Sequence, residues 1–218
     1  MKKPQPKPKP KPRKKTPQTH QVRIIGGRWK RTSLAVADAP DLRPTPDRVR
    51  ETVFNWLNHL LDGAWDNARC LDLFAGSGAL GFEAASRGAA RVTMVESHTP
   101  VFLQLEEVKS KLNAEQVNLI RGDADRVARS LAQRGERFDI IFLDPPYQQN
   151  LLEKMLLVCA PLLEHGGMVY AESDVPLVSD KRMEAPLWMA PWEAIRSDRA
   201  GNVHYHLLQL KNTDHLKA

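Results

Sequence analysis

The pattern of apolar and polar residues changes at residue 69, where short apolar runs begin to alternate with longer amphipathic stretches. The short runs are typical of strands buried on both faces, and the longer stretches carry apolar residues at helical spacing. In order, they predict strand Cys70–Phe74, helix Gly78–Arg87, strand Arg91–Val95, helix Thr99–Asn113, strand Val117–Ile120, helix Asp125–Gln133, strand Phe138–Leu143, helix Leu151–Leu163 and strand Gly167–Ala171. Strands Trp192–Ser197 and Val203–Leu210 follow as a hairpin. These units predict an α/β fold with a Rossmann-like, doubly wound, mostly parallel sheet of seven strands.

The residues before this pattern predict an N-terminal extension made of a β-hairpin and a helix. Val22–Ile25 and Arg28–Val36 have the composition of strands, and Gly26–Gly27 between them suits a tight turn. Thr45 is expected to cap the helix that follows, with Pro46 at its first position. Apolar residues recur on one face of that helix, which predicts packing against the core.

Four regions are therefore expected along the chain. They are a disordered basic arm over residues 1–20, the hairpin and helix extension over 21–66, the α/β domain over 67–212 and a tail over 213–218. The arm alternates lysine with proline, which favours an extended conformation.

Positive charge is concentrated at the N-terminus. Residues 1–31 carry twelve lysines and arginines and no acidic residue, whereas the rest of the chain holds twenty basic and twenty-six acidic residues. This asymmetry favours contact between the arm and a polyanion such as nucleic acid, although a solubilising tail would have the same composition.

Composition also narrows the class of protein. The chain contains no apolar run of membrane-spanning length, and no apolar segment follows the basic N-terminus as in a secretory signal. Cys70 and Cys159 are far apart in apolar runs, which predicts buried thiols in a reducing cytoplasm. The histidines and cysteines show no metal-ligand spacing, so no metal is expected.

The candidate chemistry centres on Asp144-Pro145-Pro146-Tyr147, which follows an apolar strand. Prolines cannot continue the hydrogen bonding of a sheet, so pairing stops there and the turn is stiffened. Ligands of open α/β sheets bind beyond the carboxyl ends of the strands. We therefore expect a fixed carboxylate and an aromatic ring at the mouth of a site.

A glycine-rich turn follows the first strand of the sheet, at Gly76, Gly78 and Gly81. The spacing alone fits a nicotinamide dinucleotide as well as other nucleotides. Asp72 favours a different ligand, because a carboxylate beside the loop repels a pyrophosphate but suits an ammonium group, as in S-adenosylmethionine.

Two more acidic residues end the next predicted strands. Glu96 can accept hydrogen bonds from ribose hydroxyls, and Asp123 can accept from an adenine amino group. With Asp72 and Asp144 they are expected to converge on one edge of the sheet.

These motifs resemble the nucleotide- and target-binding motifs of class I, S-adenosylmethionine-dependent methyltransferases. Asp144-Pro-Pro-Tyr147 is similar to the form found in enzymes that modify exocyclic amino groups of bases. The Gly26-Gly27-Arg28 turn and the segment Arg43-Pro-Thr-Pro-Asp-Arg-Val-Arg-Glu51-Thr-Val-Phe-Asn55 narrow the likeness to the RsmD-type ribosomal RNA methyltransferases. The resemblance covers residues 22 to about 211 and leaves out the arm.

The resemblance implies a methyl transfer from S-adenosylmethionine to N2 of a guanine in 16S RNA of the small ribosomal subunit, by a monomer. The implied catalytic residues are Asp144, Pro145, Pro146 and Tyr147. The implied cofactor-binding residues are Asp72, Phe74, Gly76, Gly78, Glu96, Ser97, Asp123, Ala124 and Asp144. The implied RNA-binding residues are Arg23, Arg28, Lys30, Arg31, Arg43 and Arg48.

Three alternatives stay open on the sequence. An adenine-N6 methyltransferase shares the four-residue motif but usually has an added recognition domain. An NAD-dependent oxidoreductase would explain the glycines but gives Asp144–Tyr147 no role. A non-catalytic RNA-binding module could keep the fold without the reaction.

Overall fold

A computed structural model of the chain describes residues 21–35, 45–146, 151–178 and 184–211. The predicted arm and tail lie outside these residues, and so do Arg43 and Tyr147. Within the described ranges the strands are β1 Gln21–Arg23, β2 Ser33–Ala35, β3 Arg69–Asp72, β4 Arg91–Glu96, β5 Val117–Arg121, β6 Phe138–Leu143, β7 Leu163–Ser173, β8 Trp192–Ala200 and β9 Val203–Leu210. The helices are α1 Asp47–Leu60, α2 Ala79–Arg87, α3 Thr99–Leu112, α4 Ala124–Gln133 and α5 Leu151–Cys159.

The main sheet has seven strands in the order β5-β4-β3-β6-β7-β9-β8. Strands β3 to β7 are parallel to one another. Strand β9 pairs with β7 in the antiparallel direction, and β8 pairs with β9 in the same way. The predicted seven-stranded, mostly parallel sheet is therefore confirmed. None of the helices in the described ranges is long and apolar enough to cross a membrane.

The sheet separates two apolar layers, because successive side chains of a strand point to opposite faces. Cys70 of β3 packs in a cluster with side chains of α1, α2 and α3, such as Val53, Phe82 and Leu105. Leu71, the next residue, packs in a second cluster with side chains of α4 and α5. The strands are apolar on both faces for this reason, and α1 of the extension is part of the core.

The N-terminal hairpin differs from its prediction. Instead of a two-residue turn at Gly26–Gly27, residues 24–32 connect the two short strands. The N–H groups of Ile25 and Gly26 donate to the buried carboxylate of Glu83 at 2.7 and 2.9 Å, so they bond to α2 rather than across a hairpin. Gly27, at φ +72°, lies so close to α2 that a Cβ would come within 1.8 Å of the carbonyl oxygen of Ser86.

The start of α1 also differs. The helix begins at Asp47, with Pro46 in the capping position, and no side chain caps it. The predicted capping role of Thr45 is wrong, because its hydroxyl bonds to side chains at the end of the sheet instead. Arg50 fixes the carbonyl of Thr45 with its Nε at 3.3 Å, and its buried guanidinium also donates to the carbonyl of Arg23.

The end of α5 and the start of β7 differ from their predicted positions. Helix α5 was predicted to reach Leu163 but ends at Cys159, because Pro161 lacks the N–H that the next helical turn requires. Strand β7 consequently starts at Leu163 rather than Gly167.

Candidate functional site

The carboxyl ends of the parallel strands bring acidic residues to one edge of the sheet. Asp72 ends β3, Glu96 ends β4, Asp123 follows β5 and Asp144 follows β6. Glu172, near the end of β7, adds a fifth acidic residue that the sequence analysis did not select. Because β3 to β7 run in the same direction, the predicted convergence of the first four on one edge is the consequence of the sheet's topology.

Asp72 lies beneath the glycine-rich turn rather than at its surface. Its side chain is 1% exposed, and its Oδ2 accepts a hydrogen bond from the N–H of Gly81 at 3.1 Å. Burial raises the pKa of this carboxyl to about 7, although the N–H groups of Gly81 and Phe74 oppose the shift. Asp72 therefore holds the turn in place, and its carboxyl group changes charge near neutral pH.

Glu96 shapes the other side of the same turn. Its two carboxylate oxygens accept from the N–H groups of Gly76 at 3.0 Å and His98 at 2.7 Å. Gly76 and Gly78 both have positive φ, at 49° and 78°, which glycine adopts without steric cost. The turn thus depends on these glycines and on a carboxylate from the neighbouring strand. Ser97, the next predicted residue, is exposed beside it.

Asp123 caps the helix that follows it in the chain. Its Oδ1 accepts from the N–H of Arg126 at 3.1 Å, which makes it the N-cap of α4. Its side chain is exposed, while the neighbouring Ala124 is buried. Capping leaves the second carboxylate oxygen of Asp123 available to a ligand at the edge of the sheet.

Asp144 meets the extension at the end of β6. Its Oδ2 lies 3.3 Å from the hydroxyl of Thr45, and the same hydroxyl lies 2.9 Å from Oε1 of Glu172. The hydroxyl of Tyr170 donates to that oxygen of Glu172 at 2.6 Å. Thr45 and Glu172 are buried, whereas Asp144 is partly exposed.

The electrostatics of this cluster favour neutral carboxyl groups. Burial raises the pKa of Asp144 well above its usual range, and the neighbouring Glu172 and Asp72 raise it further. Burial also raises the pKa of Glu172, against the hydrogen bonds from Tyr170 and Thr45. Three carboxyl groups from adjacent strands therefore cannot all be ionised without mutual repulsion.

The remaining predicted residues fall into two groups. Pro145 is buried and Pro146 exposed directly after Asp144, while Tyr147 lies outside the described residues. Arg28, Lys30 and Arg31 are exposed on the hairpin connection.

The other predicted RNA-binding arginines in the described residues are also exposed, whereas the aromatic residue of the hairpin connection is buried. Arg48 is exposed on α1, and Arg23 is exposed but donates to Asp47 at 2.8 Å. Trp29, between these cations in the sequence, is only 8% exposed and packs in the core, with the Arg28 guanidinium 5.9 Å from its ring.

Sequence reasoning missed Thr45, Tyr170 and Glu172 as parts of the site. Glu172 carried the same signal as the other acids, since it follows the predicted strand Gly167–Ala171 directly. Thr45 gave no such signal, because its partners are 99 and 127 residues away in the chain.

The five carboxyl groups at this edge of the sheet decide the charge of the ligand that it can bind. Within the described residues, none of the carboxyl groups of Asp72, Glu96, Asp123, Asp144 and Glu172 forms an ion pair with a basic side chain. An edge lined by carboxyl groups without cations repels phosphates and attracts a cationic ligand rich in hydrogen-bond donors.

Comparison with known proteins agrees with this chemistry. Residues 22–209 match the family described as conserved hypothetical protein 95. The chain is 42% identical over 189 residues to ribosomal RNA small subunit methyltransferase D of Escherichia coli K12, covering 87% of this chain and 90% of the relative. The protein of the same name from Haemophilus influenzae Rd is 37% identical over 195 residues, covering 87% and 94%. A solved structure described as the putative methyltransferase yhhF from Escherichia coli has a TM-score of 0.72 at 38% identity, covering 88% of this chain and 99% of its own.

Proposed function

The chain belongs to the family of ribosomal RNA small subunit methyltransferase D, and on that premise we propose that it methylates N2 of a guanine in 16S ribosomal RNA with S-adenosylmethionine. The observation that carries the proposal is the partly exposed Asp144 carboxyl, held at the end of β6 beside the glycine-rich turn. The family and the fold support a methyltransferase, and they leave the oxidoreductase and the non-catalytic module without support.

The acidic edge fits S-adenosylmethionine. The ligand carries an ammonium group and a sulfonium, and the carboxyl groups at this edge have no cation of their own within the described residues. Glu96 would accept from the ribose hydroxyls and Asp123 from the adenine amino group. Phe74, Gly76 and Gly78 would form the wall beside the ammonium end, and Asp72 would hold this turn from beneath and contribute its negative charge when ionised.

Asp144 and the turn after it would hold the target base. The exocyclic amine of guanine is a poor nucleophile, because its lone pair is delocalised into the ring. S-adenosylmethionine supplies the methyl group as an electrophilic carbon on a positively charged sulfur. The Asp144 carboxylate and a carbonyl of Asp144 or Pro145 accept the two N–H groups of the amine, which holds the nitrogen and favours lone-pair density toward that carbon.

The prolines fix the direction of that carboxylate, and Tyr147 would stack on the base once it leaves its own helix. Since the orientation of the amine and the charge around it do most of the work, the methyl transfer needs no covalent nucleophile from the protein.

The exposed cations of the extension would contact the RNA backbone. Arg28, Lys30 and Arg31 project from the connection that packs on α2, and Arg48 projects from the helix that follows Thr45. Arg43 and the basic arm would add phosphate contacts. We further propose that the enzyme acts as a monomer in the cytoplasm, on an assembling or assembled small subunit.

Small-subunit RNA from cells that lack the protein provides the test. The purified protein should add one methyl group to a guanine N2 of that RNA, located by mass spectrometry, and naked RNA and intact subunits are compared side by side. Asp144→Ala should abolish the transfer while calorimetry shows that S-adenosylmethionine still binds. Failure of the wild-type protein to modify any guanine in either substrate would refute the proposed function, and full turnover by the variant would refute the role of Asp144.

A further inference from the structure

The hydroxyl of Thr45 lies between two carboxyl groups. It is 2.9 Å from Oε1 of Glu172 and 3.3 Å from Oδ2 of Asp144. A hydroxyl has one proton to donate, and an ionised carboxylate can only accept. Both contacts are full, two-centre hydrogen bonds only if one of the two carboxyl groups carries a proton, because a hydroxyl that shares its one proton between two carboxylates bonds each of them weakly.

The geometry also indicates which carboxyl holds that proton in the free protein. Oε1 of Glu172 accepts from Tyr170 at 2.6 Å and has the shorter contact with Thr45, so it is the better acceptor. The Thr45 hydroxyl then donates to Glu172, and the longer contact is the one in which Asp144 donates to Thr45.

We propose that Asp144 and Glu172 share a single proton through the hydroxyl of Thr45, and that Glu172 is a positioning residue which takes this proton when the target amine binds. The inference rests on the proposed function of Asp144 as acceptor for the amine. In the shift, the O–H bond of Asp144 breaks as a new O–H bond forms on Thr45. The original O–H bond of Thr45 breaks as one forms on Glu172, so no proton enters or leaves the cluster. Asp144 is left as the carboxylate that the amine needs.

The surroundings fix the pair in this state. The titratable groups of described residues that face it are Asp72 from β3, Tyr170 from β7, Tyr205 from β9 and Arg50 from α1. Asp72 adds negative charge beside Asp144, which opposes ionisation of both members at once. Arg50 holds the carbonyl of Thr45 and thereby the position of the hydroxyl.

The shared proton can be detected without any methylation. Infrared difference spectra of the protein without and with Asp144→Asn, recorded on the cofactor-free protein at neutral pH, should show the C=O stretch of a protonated carboxyl group that the variant lacks. Both samples carry Asp72→Asn as a background substitution, because the pKa of Asp72, about 7, would otherwise let its protonation differ between them. Absence of that band from the difference spectrum overturns the shared proton.

Activity variants test the role of the pair. Single-turnover rates are measured against pH, because a purely structural role would lower the rate equally at every pH. In Glu172→Gln the neighbouring negative charge is gone and the amide can donate to Thr45, so the acidic limb should move to lower pH by about one unit. In Thr45→Val the hydroxyl that donates to the Asp144 carboxylate after the proton shift is lost, so the limb should move to higher pH and the rate near neutrality should fall at least ~10-fold.

Thr45→Ser retains the hydroxyl and should restore most of the rate lost in the valine variant. Should one of the variants fail to fold, the other and the infrared spectrum still decide the matter. The proposal is overturned if the acidic limb of the rate profile lies at the same pH as in wild type in every variant that folds. An infrared band in a protein that methylates no guanine would instead reject the proposed function and leave the shared proton standing.

Discussion

Asp72→Asn should stabilise the cofactor-free protein at alkaline pH. The carboxyl of Asp72 is buried, and burial raises its pKa to about 7 from an ordinary value of 3.8. A carboxyl whose pKa is higher in the folded state is most favourable when protonated. Its contribution to stability is therefore fully present below pH 3.8 and is lost as the pH rises to about 7.

The size of the effect follows from the shift. Three units of pKa at ~1.36 kcal/mol per unit give a cost of about 4 kcal/mol to fold with Asp72 ionised. Between pH 5.5 and 8.5 about 2 kcal/mol of that cost develops, because the group is mostly protonated in the folded state at the lower pH. Asparagine is neutral throughout and keeps an oxygen that accepts from the N–H of Gly81, whereas its amide nitrogen cannot accept from the N–H of Phe74, a loss that is the same at both pH values.

Urea unfolding of both proteins at the two pH values measures this difference. The stability advantage of Asp72→Asn over wild type should grow by about 2 kcal/mol from pH 5.5 to 8.5. Asp174→Asn, which removes an exposed carboxyl, is the matched control. An advantage equal at both pH values would show that ionisation of Asp72 does not destabilise the folded protein.

Further predictions concern the N-terminal extension and the basic arm before it. Gly27→Ala should destabilise the protein by roughly 2–3 kcal/mol in urea unfolding, because its Cβ would meet the Ser86 carbonyl at a positive φ, whereas Gly63→Ala has open space and should cost only about 1 kcal/mol. Equal losses would mean that the packing on α2 is unimportant. Replacing Arg28 and Lys30 with alanine, or deleting residues 1–17, should weaken RNA binding and flatten its dependence on salt, by up to about two units of slope for the pair and a few for the arm. A slope unchanged by the deletion would make the arm a solubilising tail.

The fold was predictable because its signals are local. Each strand of the parallel sheet is a short apolar run, and each helix between strands has a periodic face, so β6 at Phe138–Leu143 and β9 at Val203–Leu210 have the predicted bounds. The acidic residues at the strand ends were predictable for the same reason, since the direction of the strands decides where their ends meet.

The parts that were not predicted depend on contacts between distant residues. Gly26–Gly27 has the composition of a hairpin turn, but Glu83 competes for the backbone N–H groups from 57 and 58 residues away. Thr45 has the composition of a helix cap, but two carboxyl groups at the sheet edge bind its hydroxyl instead. In both places the local sequence favours one set of hydrogen bonds, and contacts with distant residues replace it with another.

The extension and the α/β domain cannot be separated without dismantling the site. Glu83 of α2 binds the connection that displays Arg28 and Lys30, and its side chain is fully buried there. Arg50 of α1 binds the carbonyls of Arg23 and Thr45 and so joins the hairpin to the hydroxyl at Asp144. Removing residues 21–66 would therefore take two backbone donors from Glu83, which would keep its ion pair with Arg87, and would leave Asp144 without the hydroxyl of Thr45. Since α1 also packs in the core beside β3, we expect the boundary near residue 66 to mark a change in sequence pattern and not a point at which the protein can be cut.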